Sequence, residues 1–201
     1  MTILTLVRHG ETDWNRDGRI QGSTDIPLND TGRQQARDAG RALREVIDAD
    51  AATVVASSDL LRAAETADLI AAELGADEPR RYRGLRERAY GDAEGMTAVD
   101  FRTRWGDWHT AEVPGAETWD DLRGRALETL RRVVQDARRT TSPAAPALVV
   151  VAHGALIREV IRHATGGELP VPGERLPNGS AHTFLMERDR VQLLSYVAAT
   201  V

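Results

Sequence analysis

The chain alternates between short apolar runs and longer stretches in which apolar residues recur every three or four positions. The short runs are rich in β-branched residues, which is typical of strands buried on both faces of a sheet. They lie at residues 2–7, 53–57 and 147–152. The longer stretches predict amphipathic helices, since that spacing aligns apolar side chains on one face. These helices are predicted over residues 29–48, 58–75, 97–104, 118–138 and 156–164.

Capping residues and turns complete the prediction of the elements. Asn29 or Thr31 is the expected N-cap of the first helix, and Ser58 or Asp59 that of the second. A short third strand is expected within 78–83, loops over 15–28, 84–95 and 166–177, and a hairpin of 180–187 with 191–196. Strands and helices alternate along most of the chain. The expected fold class is therefore α/β, a three-layer sandwich with a mostly parallel central sheet flanked by helices.

Length and composition favour one domain covering residues 1–201. A chain of 201 residues with 41% hydrophobic and 28% charged residues has enough apolar residues for a sizeable core. The net charge of −5 argues against nucleic acid or an anionic membrane as a partner. Since no membrane-spanning apolar run and no signal-peptide pattern is present, a cytoplasmic location is expected. A monomer and a homodimer are equally compatible with these patterns.

Two residue types are absent from the chain, and each absence excludes a class of chemistry. With no Cys, the protein has no disulfide, no thiolate zinc site and no cysteine nucleophile. All 26 basic residues are Arg, so a lysine Schiff base and the lysine of a Walker-A loop are also excluded. Phosphate chemistry in this chain must therefore depend on Arg, His and backbone amides.

Two histidines follow two of the predicted strands. Arg8-His9-Gly10 comes directly after the strand at 2–7, and His153-Gly154 directly after the strand at 147–152. Ligands of open α/β sheets bind outside the carboxyl ends of the strands. If these two strands lie near each other in one parallel sheet, His9 and His153 meet at one edge. Together with Arg8 they would then form a pocket for an oxyanion.

The segment Arg8-His9-Gly10-Glu11 after a buried strand resembles the signature of the histidine phosphatase superfamily, the phosphoglycerate mutase-like fold. Further motifs match that family in the family's order. They are Asn15 with Arg19-x-Gln21-Gly22, Pro27-Leu28-Asn29-x-Thr31-Gly32, Ser57-Ser58-Asp59-Leu60-x-Arg62-Ala63, Leu85-Arg86-Glu87 and Val151-Ala152-His153-Gly154. One Arg-His-Gly triplet is a weak signal, whereas an ordered series over most of the chain is a specific one.

The resemblance implies a catalytic set. His9 is the implied nucleophile, which forms a phosphohistidine. Arg8 and Arg62 would hold the non-bridging oxygens of the phosphate. Glu87 is implied as the general acid that protonates the leaving oxygen and then accepts a proton from water. His153 is implied as an electrostatic clamp on the transferring group.

The resemblance also implies a phosphate-binding set: Arg8, Asn15, Gln21, Gly22, Arg62, His153 and Gly154. Without the motifs, these residues would have ordinary structural interpretations. A single Arg among 26 is usually a solvated surface residue, and Glu87 between two arginines resembles a solvated charge run. No metal ligands and no cofactor are assigned, because no pair of ligand residues has the spacing of a helical metal motif.

The expected function is that of a metal-independent phosphomonoester hydrolase acting on a small phosphorylated metabolite, such as a sugar phosphate or a phosphoglycerate-type compound. The alternatives are a cofactor-dependent phosphoglycerate mutase and a non-catalytic phospholigand-binding module. Family mutases carry a lysine where this chain has Ala98, usually an Asn where it has Ala155, and a basic insertion that 108–117 is too short to contain. Phe101, Trp105 and Trp108 either line the pocket or pack in the core, and His109 among them is expected to be structural or solvated.

Overall fold

The structure is a computed structural model that describes residues 1–108 and 110–200, with Thr200 described by its backbone alone. His109 lies outside the described residues. The strands are β1 (Thr2–Arg8), β2 (Thr53–Ser57), β3 (Arg80–Arg81), β4 (Ala147–Ala152), β5 (Glu174–Arg175), β6 (Ala181–Met186), β7 (Val191–Ser195) and β8 (Ala199–Thr200). The α-helices are α1 (Asp13–Arg16), α2 (Asp30–Val46), α3 (Leu61–Leu74), α4 (Ala98–Trp105), α5 (Trp119–Thr141) and α6 (Gly154–Ala164).

Six strands form the central sheet in the order β3-β2-β4-β1-β6-β7. β1 pairs in parallel with β4, with Arg8 opposite Ala152, and β4 pairs in parallel with β2. β6 and β7 extend the sheet as an antiparallel hairpin, while β5 and β8 form a separate two-stranded sheet. Because β1 and β4 are parallel neighbours, their carboxyl ends lie at the same edge of the sheet.

The side chains of each strand alternate between two covered faces of the sheet, as the pleat requires. Val7, Val55 and Val151 belong to the cluster packed against α2 and α3. Leu6, Val150 and their neighbours belong to the larger cluster packed against α5 and α6. Helices therefore lie on both faces, and the predicted three-layer α/β class is confirmed.

A third apolar cluster lies next to the carboxyl edge of the sheet. It consists of buried Ile20, Tyr90, Ala93 and Phe101, with Trp105 and Trp108 packed against it. The rings of Phe101 and Trp108 have centroids 4.4 Å apart. Of the two tryptophans in the aromatic stretch, Trp105 packs in this cluster, and Trp108 packs there and also lines the cavity described below.

Most predicted elements are present, and the differences have local causes. The loop expected over 15–28 begins inside α1, because Thr12 and Asn15 form a capping box. The N-cap of α3 is Leu60, since the Asp59 carboxylate is bound instead by Arg86 at 2.7 Å. The third strand covers only Arg80–Arg81, and β5 lies in the segment predicted as a loop. In the described part of the chain, no helix is long and apolar enough to cross a membrane.

Candidate active site

His9 and His153 are brought together by the pairing of β1 with β4. Their ring centroids lie 5.1 Å apart with the planes tilted by 58°. The backbone N–H of His9 donates to the Ala152 carbonyl oxygen at 3.0 Å, which continues the pairing one residue past the strand. Both side chains are buried. The predicted meeting of the two histidines at one edge of the sheet is therefore present.

The hydrogen bond of the His9 ring determines which ring nitrogen is available for chemistry. Nδ1 lies 2.7 Å from the carbonyl oxygen of Gly10. A carbonyl oxygen can only accept, so Nδ1 carries the proton and Nε2 presents its lone pair. Burial, together with the positive charges of Arg62 and Arg8, lowers the pKa of His9 well below its ordinary value of 6.5. His9 is therefore a neutral imidazole with Nε2 unprotonated at neutral pH.

His153 has no hydrogen-bond partner for either ring nitrogen among the described residues, although it is fully buried. Burial and the charge of Arg62 lower the pKa of His153 well below 6.5, so its ring is also neutral. An unsatisfied buried polar group costs roughly 1–3 kcal/mol. Such a group is typical of a binding site, where a ligand supplies the missing partner. His153 itself packs against His9 and does not line the cavity surface.

Backbone carbonyls hold the guanidinium groups of Arg62, which is fully buried, and of Arg8, which is partly buried. Arg62 donates from Nη1 to the Thr24 oxygen at 2.9 Å and from Nη2 to the Gly22 oxygen at 2.8 Å. Arg8 donates from Nη1 to the Leu176 oxygen, and within the described residues Nε of both arginines is buried without a partner. Burial lowers the pKa of both groups below the ordinary value of arginine, and the negative charge of Glu87 offsets part of that shift. These two arginines leave donors free for an anion.

Glu87 is positioned by the first turn of α6. Its Oε2 accepts the N–H of Ala155 at 3.0 Å, and its Oε1 accepts those of Leu156 at 3.1 Å and Arg88 at 3.0 Å. The first N–H groups of a helix have no partner within the helix and carry partial positive charge. His153 is the N-cap residue of α6. The start of one helix thus positions both Glu87 and His153.

α1 and the polar loop after it provide three of the predicted phosphate-binding residues, Asn15, Gln21 and Gly22. Asn15 accepts at Oδ1 from the Thr12 N–H at 3.2 Å and from Asn178 Nδ2 at 3.3 Å, so Asn15 has its own Nδ2 to offer a ligand. Gln21 is buried, and its Oε1 has no partner in the described structure. The loop is held by Glu94, which accepts the backbone N–H groups of Ser23 at 2.8 Å and Thr24 at 2.9 Å.

The glycines of the motifs have distinct structural reasons. A Cβ on Gly10 would lie 2.2 Å from the Gly32 carbonyl oxygen, so packing against α2 requires a glycine there. Gly22 has φ +56°, and its Cβ would lie 2.1 Å from Glu94 Oε1. A Cβ on Gly154 would lie 3.5 Å from Arg8 Cζ, which is ordinary contact. The packing at Gly10 therefore excludes any side chain, whereas the distance to Arg8 leaves room for a Cβ at Gly154.

These groups surround a cavity of about 210 Å³. It is lined by most of the predicted site residues: Arg8, His9, Asn15, Gln21, Gly22, Arg62, Glu87 and Gly154. Several further residues that the sequence did not indicate as site residues also line the cavity, namely Arg19, Ile20, Tyr90, Ala155, Arg158, Arg175 and Leu176. Arg158 follows Gly154 by four positions on α6, a helical spacing that could have indicated it. Arg175 has no comparable local signal.

Asn178 is another residue whose position sequence reasoning missed. Its Nδ2 donates to the His9 carbonyl oxygen at 2.9 Å and to Asn15 Oδ1 at 3.3 Å. One amide thus joins the segment after β1 to the segment before β6. Asn178 lies more than 160 residues from both partners along the chain, and only the fold brings it there.

Comparison with known proteins identifies the family. Residues 4–199 match the model of the histidine phosphatase superfamily, branch 1. The chain belongs to the histidine phosphatase superfamily. The resemblance of the motifs is thereby confirmed.

The family members similar to this chain include phosphatases and mutases. The uncharacterized phosphatase PhoE of Bacillus subtilis is 34% identical over 196 residues, covering 98% of this chain and 94% of PhoE. A 2,3-bisphosphoglycerate-dependent phosphoglycerate mutase of Methylobacterium radiotolerans is 32% identical over 203 residues, covering 93% of this chain and 91% of the mutase. The solved structure of mycobacterial glucosyl-3-phosphoglycerate phosphatase with VO3 superposes with a TM-score of 0.80 at 28% identity, covering 99% and 100% of the two chains.

Proposed function

We propose that this protein is a phosphomonoester hydrolase that acts on small phosphorylated metabolites through a phosphohistidine on His9. The observation that carries the proposal is the state of His9, a neutral ring with Nδ1 bound to Gly10 and Nε2 unprotonated beside Arg8 and Arg62. A neutral imidazole is a nucleophile, and covalent catalysis divides hydrolysis into two easier steps. The similarity to PhoE and to glucosyl-3-phosphoglycerate phosphatase supports hydrolysis as the outcome.

In the first step, the Nε2 lone pair of His9 forms a bond to phosphorus while the phosphorus–oxygen bond to the leaving group breaks. Arg8 and Arg62 hold the non-bridging oxygens through donors that the fold leaves free, and they stabilise the charge of the transition state. We assign to His153, whose ring lies next to His9 just behind the cavity lining, the role of donating one N–H to the same group, because its ring nitrogens have no partner among the described residues. Asn15, Gln21 and the backbone at Gly22 and Gly154 complete the phosphate-binding set.

Among the described residues, Glu87 supplies the carboxyl group that lines the cavity. In the proposed mechanism its carboxyl proton goes to the leaving oxygen, so that the product departs as an alcohol. In the second step a water oxygen attacks phosphorus, Glu87 accepts the proton of the water, and the electron pair of the phosphorus–nitrogen bond returns to Nε2. Its place on the first turn of α6 keeps the carboxyl at the edge where Arg8 and Arg62 lie.

A phosphoglycerate mutase is the second candidate, and one observation favours it. A mutase must hold the dephosphorylated acid in the site, which needs cations directed at a carboxylate. Ala98 begins α4 and does not line the cavity, but Arg158 and Arg175 do line it. The cations that seemed absent from the sequence are therefore supplied by other elements. A small alanine, Ala155, lines the cavity where family mutases usually have an asparagine, and this supports the hydrolase.

We infer that the reaction needs no metal ion, because Arg8 and Arg62 already supply positive charge at the phosphate. Within residues 1–108 and 110–200, no group of three or more His, Asp or Glu side chains could hold a metal ion. We also infer that residues 1–201 form one histidine phosphatase domain, since the family match extends over 4–199.

The deciding experiment measures phosphate release and product isomers from a panel of phosphomonoesters, with and without EDTA and with added vanadate. We expect EDTA-resistant, vanadate-sensitive hydrolysis that His9→Ala abolishes, whereas His163→Ala, an exposed histidine of α6, stays active. Hydrolysis that His9→Ala retains would contradict the proposal. Isomerisation of 3-phosphoglycerate that is faster than phosphate release would identify the protein as a mutase. Loss of activity in EDTA, restored by a divalent ion, would contradict metal independence.

A further inference from the structure

The cavity carries more positive charge than one phosphate group needs. Arg8, Arg19, Arg62, Arg158 and Arg175 line it, opposed by the carboxylate of Glu87. None of the ion pairs within residues 1–108 and 110–200 includes any of these five arginines. A phosphomonoester brings about two negative charges, which the pair Arg8 and Arg62 can match. The positive charge of Arg158 and Arg175 is left for another group.

Arg158 is held in the wall of the cavity by a hydrogen bond to a backbone carbonyl. It lies on α6 four positions after Gly154 and three after Ala155, so all three share the face that lines the cavity. Its Nη2 donates to the Glu174 carbonyl oxygen at 2.6 Å. Burial lowers the pKa of Arg158, which shows that this guanidinium is partly withdrawn from water. One nitrogen is thus fixed by the backbone, and the rest of the group is available to a ligand.

Arg175 is the residue after Glu174 and the residue before Leu176. The carbonyl of Glu174 accepts from Arg158, and the carbonyl of Leu176 accepts from Arg8 Nη1. The short strand β5, paired with β8, and the residue that follows it therefore fix Arg158 and Arg8, and Arg175 lies between these two points. The positive charges of Arg158 and Arg175 both lower the pKa of Arg8, so the three guanidinium groups lie close enough to interact. The exposed Arg175 and the half-buried Arg158 thus form a second pair of cations beside the phosphate-binding pair.

We propose that the substrate carries a second anionic group, which Arg158 and Arg175 bind while Arg8 and Arg62 hold the phosphoryl group. The inference rests on the proposed function and narrows its substrate class to small phosphorylated acids or bisphosphates. A cavity of about 210 Å³ fits a small metabolite that carries both anionic groups. The second group is thus expected within a few bonds of the phosphate, since both pairs of arginines line the same cavity.

The test compares kcat/KM for substrates that differ in the second group. 3-Phosphoglycerate and glycerol 3-phosphate differ at one carbon, a carboxylate against a hydroxymethyl group, and glycerol 1,3-bisphosphate has a phosphate there. We expect the wild type to have a higher kcat/KM for 3-phosphoglycerate, for glycerol 1,3-bisphosphate or for both than for glycerol 3-phosphate, which lacks a second anionic group. Arg158→Gln and Arg175→Gln should each reduce that preference roughly 10- to 100-fold, the worth of a hydrogen bond to a charged group. The substrate whose kcat/KM falls more in these variants identifies the second anionic group as a carboxylate or a phosphate.

The control is Arg162→Gln, one turn further along α6, where the arginine is exposed and lies 3.7 Å from the Glu159 carboxylate. It should leave the preference unchanged. If Arg158→Gln does not fold, the exposed Arg175→Gln still provides the measurement. A wild type without preference, or a preference retained in both variants, would overturn the inference and leave the hydrolase proposal intact.

A measurement without turnover separates the two proposals. The difference between the calorimetric affinities of 3-phosphoglycerate and glycerol 3-phosphate for His9→Ala reports the second anion site without turnover. Tighter binding of the acid that depends on Arg158 and Arg175 supports the inference even if the wild type hydrolyses neither compound. Equal binding of the two compounds contradicts it. Absence of hydrolysis across the whole panel contradicts the proposed function instead.

Discussion

The rings of His9 and His153 lie with centroids 5.1 Å apart, and neither ring has a carboxylate among the causes that set its pKa. Burial and nearby arginines keep both imidazoles neutral. The positive charge of the site therefore comes from guanidinium groups, which hold their charge over the whole physiological pH range. Because the arginines and not the histidines carry the positive charge, the Nε2 lone pair of His9 stays free while the arginines attract the phosphate.

We expect His9 to carry a phosphoryl group during turnover, because the Gly10 carbonyl fixes the tautomer that leaves Nε2 unprotonated. His9→Ala should lower kcat by more than about 10³-fold, the scale of losing a nucleophile. Quenching with labelled substrate without acid should give an acid-labile, base-stable phosphoprotein. His163→Ala should still form it. A label that persists in His9→Ala would exclude His9 as the attacking group.

Glu87→Gln should affect substrates according to their leaving groups. Removing a general acid costs roughly 10²–10⁴-fold when the departing oxygen needs a proton. An aryl phosphate, whose leaving oxygen needs little protonation, should lose much less. Parallel assays with an alkyl and an aryl phosphate give the comparison, with Glu128→Gln, an exposed residue of α5, as control. Equal losses on both substrates would indicate a structural role, since Glu87 also binds three backbone N–H groups of the chain.

Gly22→Ala should disturb the loop whose carbonyl oxygens accept hydrogen bonds from Arg62. The new Cβ would lie 2.1 Å from Glu94 Oε1, and Glu94 holds the loop whose carbonyls bind Arg62. We expect a loss of at least tenfold in kcat/KM, together with destabilisation. Gly18→Ala is the matched control, because Gly18 has φ +65° with nothing within 4 Å of its Cβ. That variant should show only the roughly 1–2 kcal/mol cost of the left-handed backbone in urea unfolding. Comparable activity in the two variants would contradict the role of the Glu94 contact.

Stability should fall as the pH is lowered from about 6.5, the ordinary pKa of histidine. Burial lowers the pKa of His182 to about 4, with a further contribution from Arg8. The unfolded chain then binds more protons than the folded chain between these pH values, so the free energy of unfolding decreases as the pH falls. His9 and His153, whose pKa values are also lowered, act in the same direction.

His182→Gln isolates one part of this effect. Its ring donates from Nε2 to Ser180 Oγ and accepts at Nδ1 from the Val197 N–H, at 3.0 and 3.3 Å. We expect the variant to reduce the loss of unfolding free energy between pH 7 and pH 4 by roughly 1–3 kcal/mol. Urea titrations at several pH values measure it, with His163→Gln as the exposed control. An unchanged pH dependence would show that His182 does not titrate between these values.

Local patterns were sufficient for the regular elements and for the motif residues. The strands at 53–57 and 147–152 were predicted at their observed bounds, because a continuous β-branched run buried on both faces has no competing structure. Asn29 caps α2 as expected, since its side chain needs only the Gly32 N–H three positions later. The meeting of His9 with His153 followed from one assumption, that their strands are parallel neighbours.

Long-range contacts decided the remaining features, because they join residues that have no relation along the chain. Asp59 does not cap α3, since Arg86 binds its carboxylate from 27 positions away. Gly10 is required by the Gly32 carbonyl, which no local pattern indicates. Arg175 lies in a segment that the sequence predicts as a loop, and it is placed at the site by the pairing of β5 with β8. Sequence patterns record the preferences of neighbouring residues, whereas the charge of this cavity depends on which distant segments pack at one edge of the sheet.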